Sequence, residues 1–325
     1  MHILIIRPGA IGDTLLTFPI IQAIRSSYAS PRITLVGNPA VLPLALAVGL
    51  VDETSDYGQL QWSSLFSSTG LHSSAILAQL QHTNLAFCWL RDPAGIVEHN
   101  LLLAGVQKVV IAPGRPPDGP QPGKTGHIVA YLAETVGLQH LEMPYKLLFA
   151  PLAPAAPIAS AEHSLIPPGI QPIAIHPGSG GAHKCWPASS FAALIEHLWQ
   201  HNYPILLLAG PADHERIHEI QQLLIHKSQL SQSSSTSRPN MLTTLIDAPL
   251  LHVARRLQQC KCYIGNDSGI THLSSMLSIP TIALFGPTDP STWRPVGPYV
   301  TVIHEQDLKN VTVETVLKSV LLRLS

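Results

Sequence analysis

The sequence predicts an α/β protein made of two Rossmann-like domains, each with a parallel sheet. Short apolar runs of strand type alternate with segments of helical period along most of the chain, which is typical of βα units. The length of 325 residues and a hydrophobic content of 46% are sufficient for two cores. A segment rich in proline and alanine interrupts the alternation, so we place domains at residues 1–150 and 172–325 and a linker at 151–171.

The first half opens with a nearly continuous apolar run at residues 1–7, which indicates a strand buried on both faces. A turn at 8–13 follows, and the apolar spacing after it predicts one helix over 14–26. The turn lacks the GxGxxG pattern, and Asn38 follows the second strand where a dinucleotide site needs a carboxylate, so nicotinamide binding is disfavoured. Further strands are predicted at 32–37, 51–57, 85–90 and 108–112, and helices at 40–48, 73–81, 96–103 and 127–136, with a proline-rich loop at 113–122.

A second βα series follows the linker. Strands are predicted at 172–176, 205–209, 262–265, 279–285 and 300–304, and helices at 187–200, 213–226, 250–258 and 311–324. The last helix is free to pack back on the first domain. The polar, serine-rich segment 227–239 breaks the pattern, and we expect it to form a mobile loop with no catalytic part.

The stretch 262–290 predicts a phosphate site. Asn266, Asp267, Ser268 and Gly269 follow a short apolar strand and supply capping side chains and a flexible backbone where a helix begins. The free N–H groups and the positive dipole end of that first turn attract anions. A second strand and a sharp turn at 286–290 belong at the same carboxyl edge, where ligands of open α/β sheets bind. The alternative is that Asp267 and Ser268 are only helix caps.

Charge and histidine content argue against two kinds of binding site. Lys plus Arg number 19 against 20 for Asp plus Glu, so no net positive field favours nucleic acid. The 17 histidines are scattered and form no HExxH pair or close His/Cys cluster. We therefore predict no metal site and no nucleic-acid partner.

The cysteines and the apolar runs bear on the compartment. The chain has four cysteines, Cys88, Cys185, Cys260 and Cys262. They have neither a disulfide-framework spacing nor a CxxC pair, which fits a reducing compartment. The apolar run at residues 2–6 is too short for a signal peptide, and no run reaches membrane-spanning length. We expect a cytoplasmic protein, with peripheral contact at the inner face of the plasma membrane as a further expectation.

Five motifs together resemble glycosyltransferase family 9, which contains the ADP-heptose:lipopolysaccharide heptosyltransferases. They are RPGAIGDTLLTFP at 7–19, HPGSGGAHKCWP at 176–187, GPADHER at 210–216, GNDSGITHL at 265–273 and FGPTDP at 285–290. The resemblance implies the GT-B architecture, with two Rossmann-like domains whose sheets face a central cleft. It also implies inverting sugar transfer from a nucleotide diphosphate, ADP-heptose being the favoured donor, to a glycolipid or oligosaccharide acceptor of the bacterial cell envelope, without a metal ion or cofactor.

Under this resemblance Asp13 matches the acidic residue proposed as general base. Inversion needs one carboxylate to take a proton from the acceptor hydroxyl while the sugar carbon is attacked from the face opposite the leaving group. A helix N-terminus would keep Asp13 ionised and so available as a base. The alternative role of Asp13 is an N-cap.

Lys184 matches the lysine that meets the donor phosphates, together with Ser179 and Gly180 in the turn before it. A transferase without a metal must stabilise the departing diphosphate in another way, which a lysine and backbone N–H groups can do. The alternative for Lys184 is a solvated surface residue.

The other matched residues also belong to the predicted donor site. Glu215 matches an acidic residue that grips the ribose, Asp267 a contact to the sugar, and Ser268, Gly269 and His272 contacts to the diphosphate. Glu215 could instead be an ordinary first-turn glutamate, and His272 a satisfied helix histidine.

The acceptor half carries less information. Few Lys or Arg lie between residues 57 and 108, which predicts a less anionic glycan than the phosphorylated acceptor of core heptosyltransferases. Three alternatives remain open: another nucleotide sugar on the same machinery, a GT-B-shaped nucleotide-sugar epimerase or hydrolase, and a non-catalytic nucleotide-binding protein.

Overall fold

The computed structural model describes residues 1–71, 73–116, 126–139, 141–147, 170–230 and 241–324. These residues form two compact units, Met1–Glu142 and Met143–Ser325. Most of the predicted linker, the second half of the proline-rich loop and most of the serine-rich segment lie outside the described residues. The predicted domain bounds therefore stay a prediction.

The first unit contains a five-stranded sheet whose strands pair in parallel. Its strands are β1 His2–Ile6, β2 Arg32–Gly37, β3 Glu53–Asp56, β4 Leu85–Trp89 and β5 Lys108–Ala112. Its helices are α1 Ile11–Leu15, α2 Phe18–Ser27, α3 Leu42–Ala47, α4 Leu60–Ser63, α5 Ser74–Leu80, α6 Ile96–Leu103 and α7 Ile128–Thr135. The sheet order β3-β2-β1-β4-β5 places β1 at the centre, where its apolar side chains are buried.

The prediction of a single helix over residues 14–26 is wrong. The chain forms α1 and α2 instead, with a break between Leu15 and Phe18. Pro19 explains the break, because proline lacks an N–H and its ring clashes with the carbonyl four residues earlier, which belongs to Leu15. At the second position of α2 the same proline is well tolerated.

The second unit contains a six-stranded parallel sheet. Its strands are β6 Ile173–His176, β7 Ile205–Ala209, β8 Leu242–Ile246, β9 Cys262–Asn266, β10 Thr281–Phe285 and β11 Val300–His304. Its helices are α8 Ala188–Gln200, α9 His214–Leu230, α10 Leu250–Leu257, α11 Gly269–Met276, α12 Pro290–Trp293 and α13 Val313–Leu324. Helix α13 packs on α8 and on the sheet of its own unit.

The structure on either side of the serine-rich segment differs from the prediction. Helix α9 ends at Leu230 and not at 226, so the first residues of the predicted loop are helical. Strand β8 was not predicted at all. Its five residues, Leu242–Ile246, are only partly buried at the sheet edge and follow directly on a low-complexity segment, so they carry a weak strand signal.

Each sheet has one point at which the strand order reverses. In the first unit this point lies between β1 and β4, and in the second, with order β11-β10-β9-β6-β7-β8, it lies between β6 and β9. Crevices outside the carboxyl ends of strands at such points are where open α/β sheets bind ligands. A ligand is therefore expected to bind at the loops after β1, β6 and β9. No helix in the described ranges is both long and apolar enough to cross a membrane.

Candidate active site

Near the carboxyl end of β1, Asp13 forms an ion pair with the buried Arg7. Arg7 Nη2 lies 2.9 Å from Asp13 Oδ1, and the Arg7 Nε donates to the Asp13 main-chain oxygen at 3.3 Å. The N–H of Ala10 donates to Asp13 Oδ2 at 3.0 Å. Ala10 is the N-cap of α1, so Asp13 is not the cap but a first-turn acceptor. The carboxylate keeps free lone pairs on both oxygens, because each accepts one of these bonds.

Two glycines permit this arrangement. Gly9 has φ +139°, and a Cβ there would lie 2.8 Å from the Cβ of Asp13. A Cβ on Gly114 would lie 2.1 Å from Arg7 Nη1.

Burial lowers the pKa of Arg7 and the charge of Asp13 opposes this, yet guanidinium groups stay protonated in proteins. The sequence reasoning missed Arg7, although an arginine at the end of a buried strand is itself a signal, because a buried charge needs a partner.

In the second unit Asn266 ties the loop after β6 to the loop after β9. Its Nδ2 donates to the Pro177 oxygen at 2.7 Å, and its Oδ1 accepts the Trp186 N–H at 2.9 Å. Asn266 is fully buried, so this tether is shielded from water. Ser268 then caps α11, because its Oγ accepts the Thr271 N–H at 3.4 Å. The predicted helix start at this point is confirmed, with Ser268 as the capping residue.

Three of the predicted donor-site residues meet between these loops. The Ser179 Oγ donates to the Asp267 main-chain oxygen at 2.6 Å, and Lys184 Nζ lies 3.2 Å from Asp267 Oδ2. The Asp267 side chain is 10% exposed and that of Lys184 is 31% exposed. Lys184 thus lies at a site surface with its charge held by an ion pair, rather than extending freely into solvent.

The remaining predicted residues are placed differently. Gly269 is the first residue of α11, and Gly180 lies in the open loop, with nothing within 4 Å of where its Cβ would be. His272 is 4% exposed, a position typical of a helix histidine in a core. Glu215 is exposed in the first turn of α9. Their predicted contacts to phosphate and ribose stay predictions.

A buried histidine–aspartate pair, which the sequence reasoning missed, lies beside Ser268. His176 Nε2 is 3.1 Å from Asp213 Oδ2, and His176 Nδ1 is 3.3 Å from Ser268 Oγ. Burial raises the pKa of Asp213, but hydrogen bonds from His176 and Gly210 and the charge of Arg216 outweigh it, so the pKa lies below its usual range. His176 and Asp213 each lie within a sequence motif, but they are 37 residues apart and no local pattern connects them.

The arrangement in the second unit can bind an anion. It combines a lysine, the N-terminus of an eight-residue helix and a loop of small residues at the reversal point of the sheet. Within the described ranges no three His, Cys, Asp or Glu side chains gather in a way that could hold a metal ion.

The family model for glycosyltransferase family 9 (heptosyltransferase) matches residues 124–320, more than half of the chain. Lipooligosaccharide heptosyltransferase 2 of Campylobacter jejuni is 30% identical over 150 residues, which is 46% of this chain and 40% of that protein. Lipopolysaccharide heptosyltransferase 2 of Escherichia coli is 30% identical over 124 residues, 38% of this chain and 33% of that protein. The sequence match therefore covers well under half the length of each of these two relatives.

Solved structures extend the similarity of the fold to nearly the whole chain. Escherichia coli ADP-heptose lps heptosyltransferase II superposes with a TM-score of 0.73 at 20% identity, covering 100% of this chain and 98% of that one. The Escherichia coli heptosyltransferase WaaC with ADP gives a TM-score of 0.67 at 20% identity, covering 99% and 100%. The predicted α/β fold of GT-B type, with two parallel sheets, is confirmed. The chain belongs to glycosyltransferase family 9 (heptosyltransferase).

Proposed function

We propose that the protein is an inverting, metal-independent glycosyltransferase that moves heptose from ADP-heptose to a lipopolysaccharide or other cell-envelope glycan. The observation that carries this proposal is that Ser179 and Lys184 of the loop after β6 contact Asp267, next to the helix cap Ser268, in a chain of family 9. Relatives named as heptosyltransferases, one of them solved with ADP, support the donor.

The donor diphosphate would lie against the first turn of α11. The backbone N–H groups of Ser268 and Gly269 have no acceptor within the helix, and the dipole places partial positive charge there. Lys184, which is ion-paired with Asp267, brings its ammonium group to the same place. Because charge on the diphosphate grows as the sugar bond breaks, these groups stabilise the transition state more than the ground state. This is how the proposed reaction proceeds without a metal ion.

Asp13 would remove the proton from the acceptor hydroxyl. Its carboxylate is fixed by Arg7 on one oxygen and by the Ala10 N–H on the other. The ion pair with the buried guanidinium holds the carboxylate in place, and a carboxylate is the form that acts as a base. In the proposed step the acceptor oxygen forms its bond to the anomeric carbon as the bond to the diphosphate breaks, and Asp13 receives the proton.

The acceptor and the location of the protein follow from the same proposal. A glycolipid acceptor would bring the protein to the inner face of the plasma membrane without a spanning helix. The scarcity of basic residues between 57 and 108 points to an acceptor glycan with few phosphates.

Thermal unfolding with ADP, UDP, GDP and their sugar conjugates, in the presence of EDTA, tests the donor. A ligand that binds only the folded protein raises the unfolding temperature, and the increase grows with the ratio of ligand concentration to Kd. We expect a selective shift with ADP and ADP-heptose. A selective shift with a UDP or GDP sugar would reject heptose transfer, and a requirement for added metal would reject the metal-independent mechanism.

Replacing Asp13 with Ala tests the chemical step. We expect retained ADP binding and turnover lower by about two to four orders of magnitude. Asp56→Ala is the matched control, because Asp56 ends β3 in the same sheet and its carboxylate accepts the Gly58 N–H of its own turn. Unchanged turnover in Asp13→Ala would remove Asp13 from the mechanism.

A further inference from the structure

Ser268, His176 and Asp213 form a continuous hydrogen-bonded chain across three loops of the second unit. The distances are 3.3 Å from Ser268 Oγ to His176 Nδ1 and 3.1 Å from His176 Nε2 to Asp213 Oδ2. His176 is 6% exposed and Asp213 is 8% exposed. Asp213 also accepts the Gly210 N–H at 2.9 Å, so the loop after β7 is joined to those after β6 and β9.

The chemistry of the groups fixes the direction of each bond when the imidazole is neutral. The Asp213 carboxylate only accepts, so His176 Nε2 carries the hydrogen and Nδ1 is left as an acceptor. The Thr271 hydroxyl donates to the Asn266 oxygen, and the Thr271 N–H donates to Ser268 Oγ. The Ser268 hydroxyl then has two acceptors within reach, His176 Nδ1 at 3.3 Å and Thr271 Oγ1 at 3.1 Å, while its oxygen accepts the Thr271 N–H of α11.

The close packing around these three hydrogen-bonded residues requires a glycine at position 178. A Cβ on Gly178 would lie 1.9 Å from Asp213 Oδ1, so only glycine at this position lets the carboxylate reach His176. A buried polar pair of this kind gives little net stability compared with apolar residues of similar volume. Stability alone therefore does not account for this pair, which lies against the residue that caps α11.

We propose that His176 and Asp213 are positioning residues for the donor diphosphate. They hold Ser268 in one rotamer, and Ser268 in turn fixes the direction in which the first N–H groups of α11 point. The inference rests on the proposed function, because it takes the diphosphate to bind at that helix start. Other charged groups nearby are Arg216, which donates to the Trp186 oxygen, and the Lys184–Asp267 pair.

Calorimetric titration of ADP into the full chain tests the proposal with two substitutions at His176. In His176→Gln the amide reaches the place of Nε2, so the bond to Asp213 is kept and the partner of Ser268 is lost. In His176→Asn the amide takes the place of Nδ1, so the partner of Ser268 is kept. We expect His176→Gln to raise the Kd of ADP about tenfold and His176→Asn to recover most of that loss. His197→Gln, a histidine exposed on α8, is the matched control and should bind as wild type.

A double-mutant cycle separates positioning from a structural effect. In a Ser268→Ala background, His176→Gln should change the Kd of ADP by less than about twofold, because the group through which it acts is gone. Binding of adenosine, which lacks phosphates, should be equal in all variants, and thermal unfolding without ligand reports any loss of fold. Equal effects of His176→Gln with and without Ser268, or an equal loss of adenosine binding, would overturn the proposal. Failure of the wild type to bind ADP would instead reject the proposed function.

Discussion

Arg7 contacts Asp13 at two points, through Nη2 to the carboxylate at 2.9 Å and through Nε to the main-chain oxygen at 3.3 Å. One planar group thereby fixes both the charge and the main chain of the first turn of α1. Arginine can do this because its donors form a rigid fork, which a lysine ammonium cannot reproduce.

Arg7→Lys should therefore lower turnover while leaving donor binding intact. The lysine keeps a positive charge near Asp13 but cannot make both contacts, so the carboxylate loses its fixed orientation. We expect kcat to fall about tenfold or more, and the Kd of ADP, measured by calorimetry, to stay unchanged. Arg25→Lys is a close control, because Arg25 makes the same two-point contact with Asp52 and the Leu50 oxygen in a half-buried position. An equal fall in both variants would contradict a specific role for Arg7.

The Lys184–Asp267 pair predicts opposite effects of one substitution on binding and transfer. Asp267→Asn removes the carboxylate that shares the Lys184 ammonium, so the lysine becomes fully available to phosphate. We expect ADP to bind as tightly as in wild type or more tightly, while sugar transfer falls because the proposed contact to the sugar is altered. Calorimetry with ADP and a turnover assay with ADP-heptose measure the two effects. Weaker ADP binding in Asp267→Asn would show that the carboxylate organises the phosphate site.

Two glycines of one loop give a prediction about stability. Gly178→Ala should lower the free energy of unfolding by about 1–3 kcal/mol, because its Cβ would overlap Asp213. Gly180→Ala should change it by less than about 0.5 kcal/mol, since nothing lies within 4 Å of that Cβ. Chemical denaturation measures both. Similar values for the two variants would mean that the loop after β6 adapts freely.

The lowered pKa of Asp213 predicts how the second unit responds to acid. A carboxyl whose pKa is lower in the folded than in the unfolded state stabilises the fold above its unfolded pKa, about 3.9. This stabilisation is lost as the pH falls through the folded value. The stability difference between wild type and Asp213→Asn should be constant above about pH 5 and shrink below about pH 4. Denaturation curves across this range test it, and a difference independent of pH would contradict the ionised Asp213.

Local signals in the sequence were enough to predict every described strand except β8, and the start of α11. Apolar runs such as residues 1–7 fall on strands, and Ser268 caps a helix where the capping residues predicted one. Pro19 was an equally local signal, and giving it full weight would have divided the helix predicted over 14–26.

What could not be predicted depends on contacts between distant segments. His176 and Asp213 are 37 residues apart and Ser268 is 92 residues from His176, and no periodicity connects them. Arg7 was in a quoted motif, yet its contact with Asp13 depends on how the turn after β1 folds back. Strand β8 forms at the edge of the sheet next to β7 and carries little pattern of its own.

The neighbouring strands β6 and β9 are separated in sequence by β7 and β8 with their helices. During synthesis the loop after β6 leaves the ribosome long before Asn266 and Ser268, so the two halves of the site meet only once β9 is added beside β6. The proposed nucleotide site is therefore complete only when β9 lies beside β6. A variant that weakens the pairing of these two strands should lose nucleotide binding even when every site residue is present.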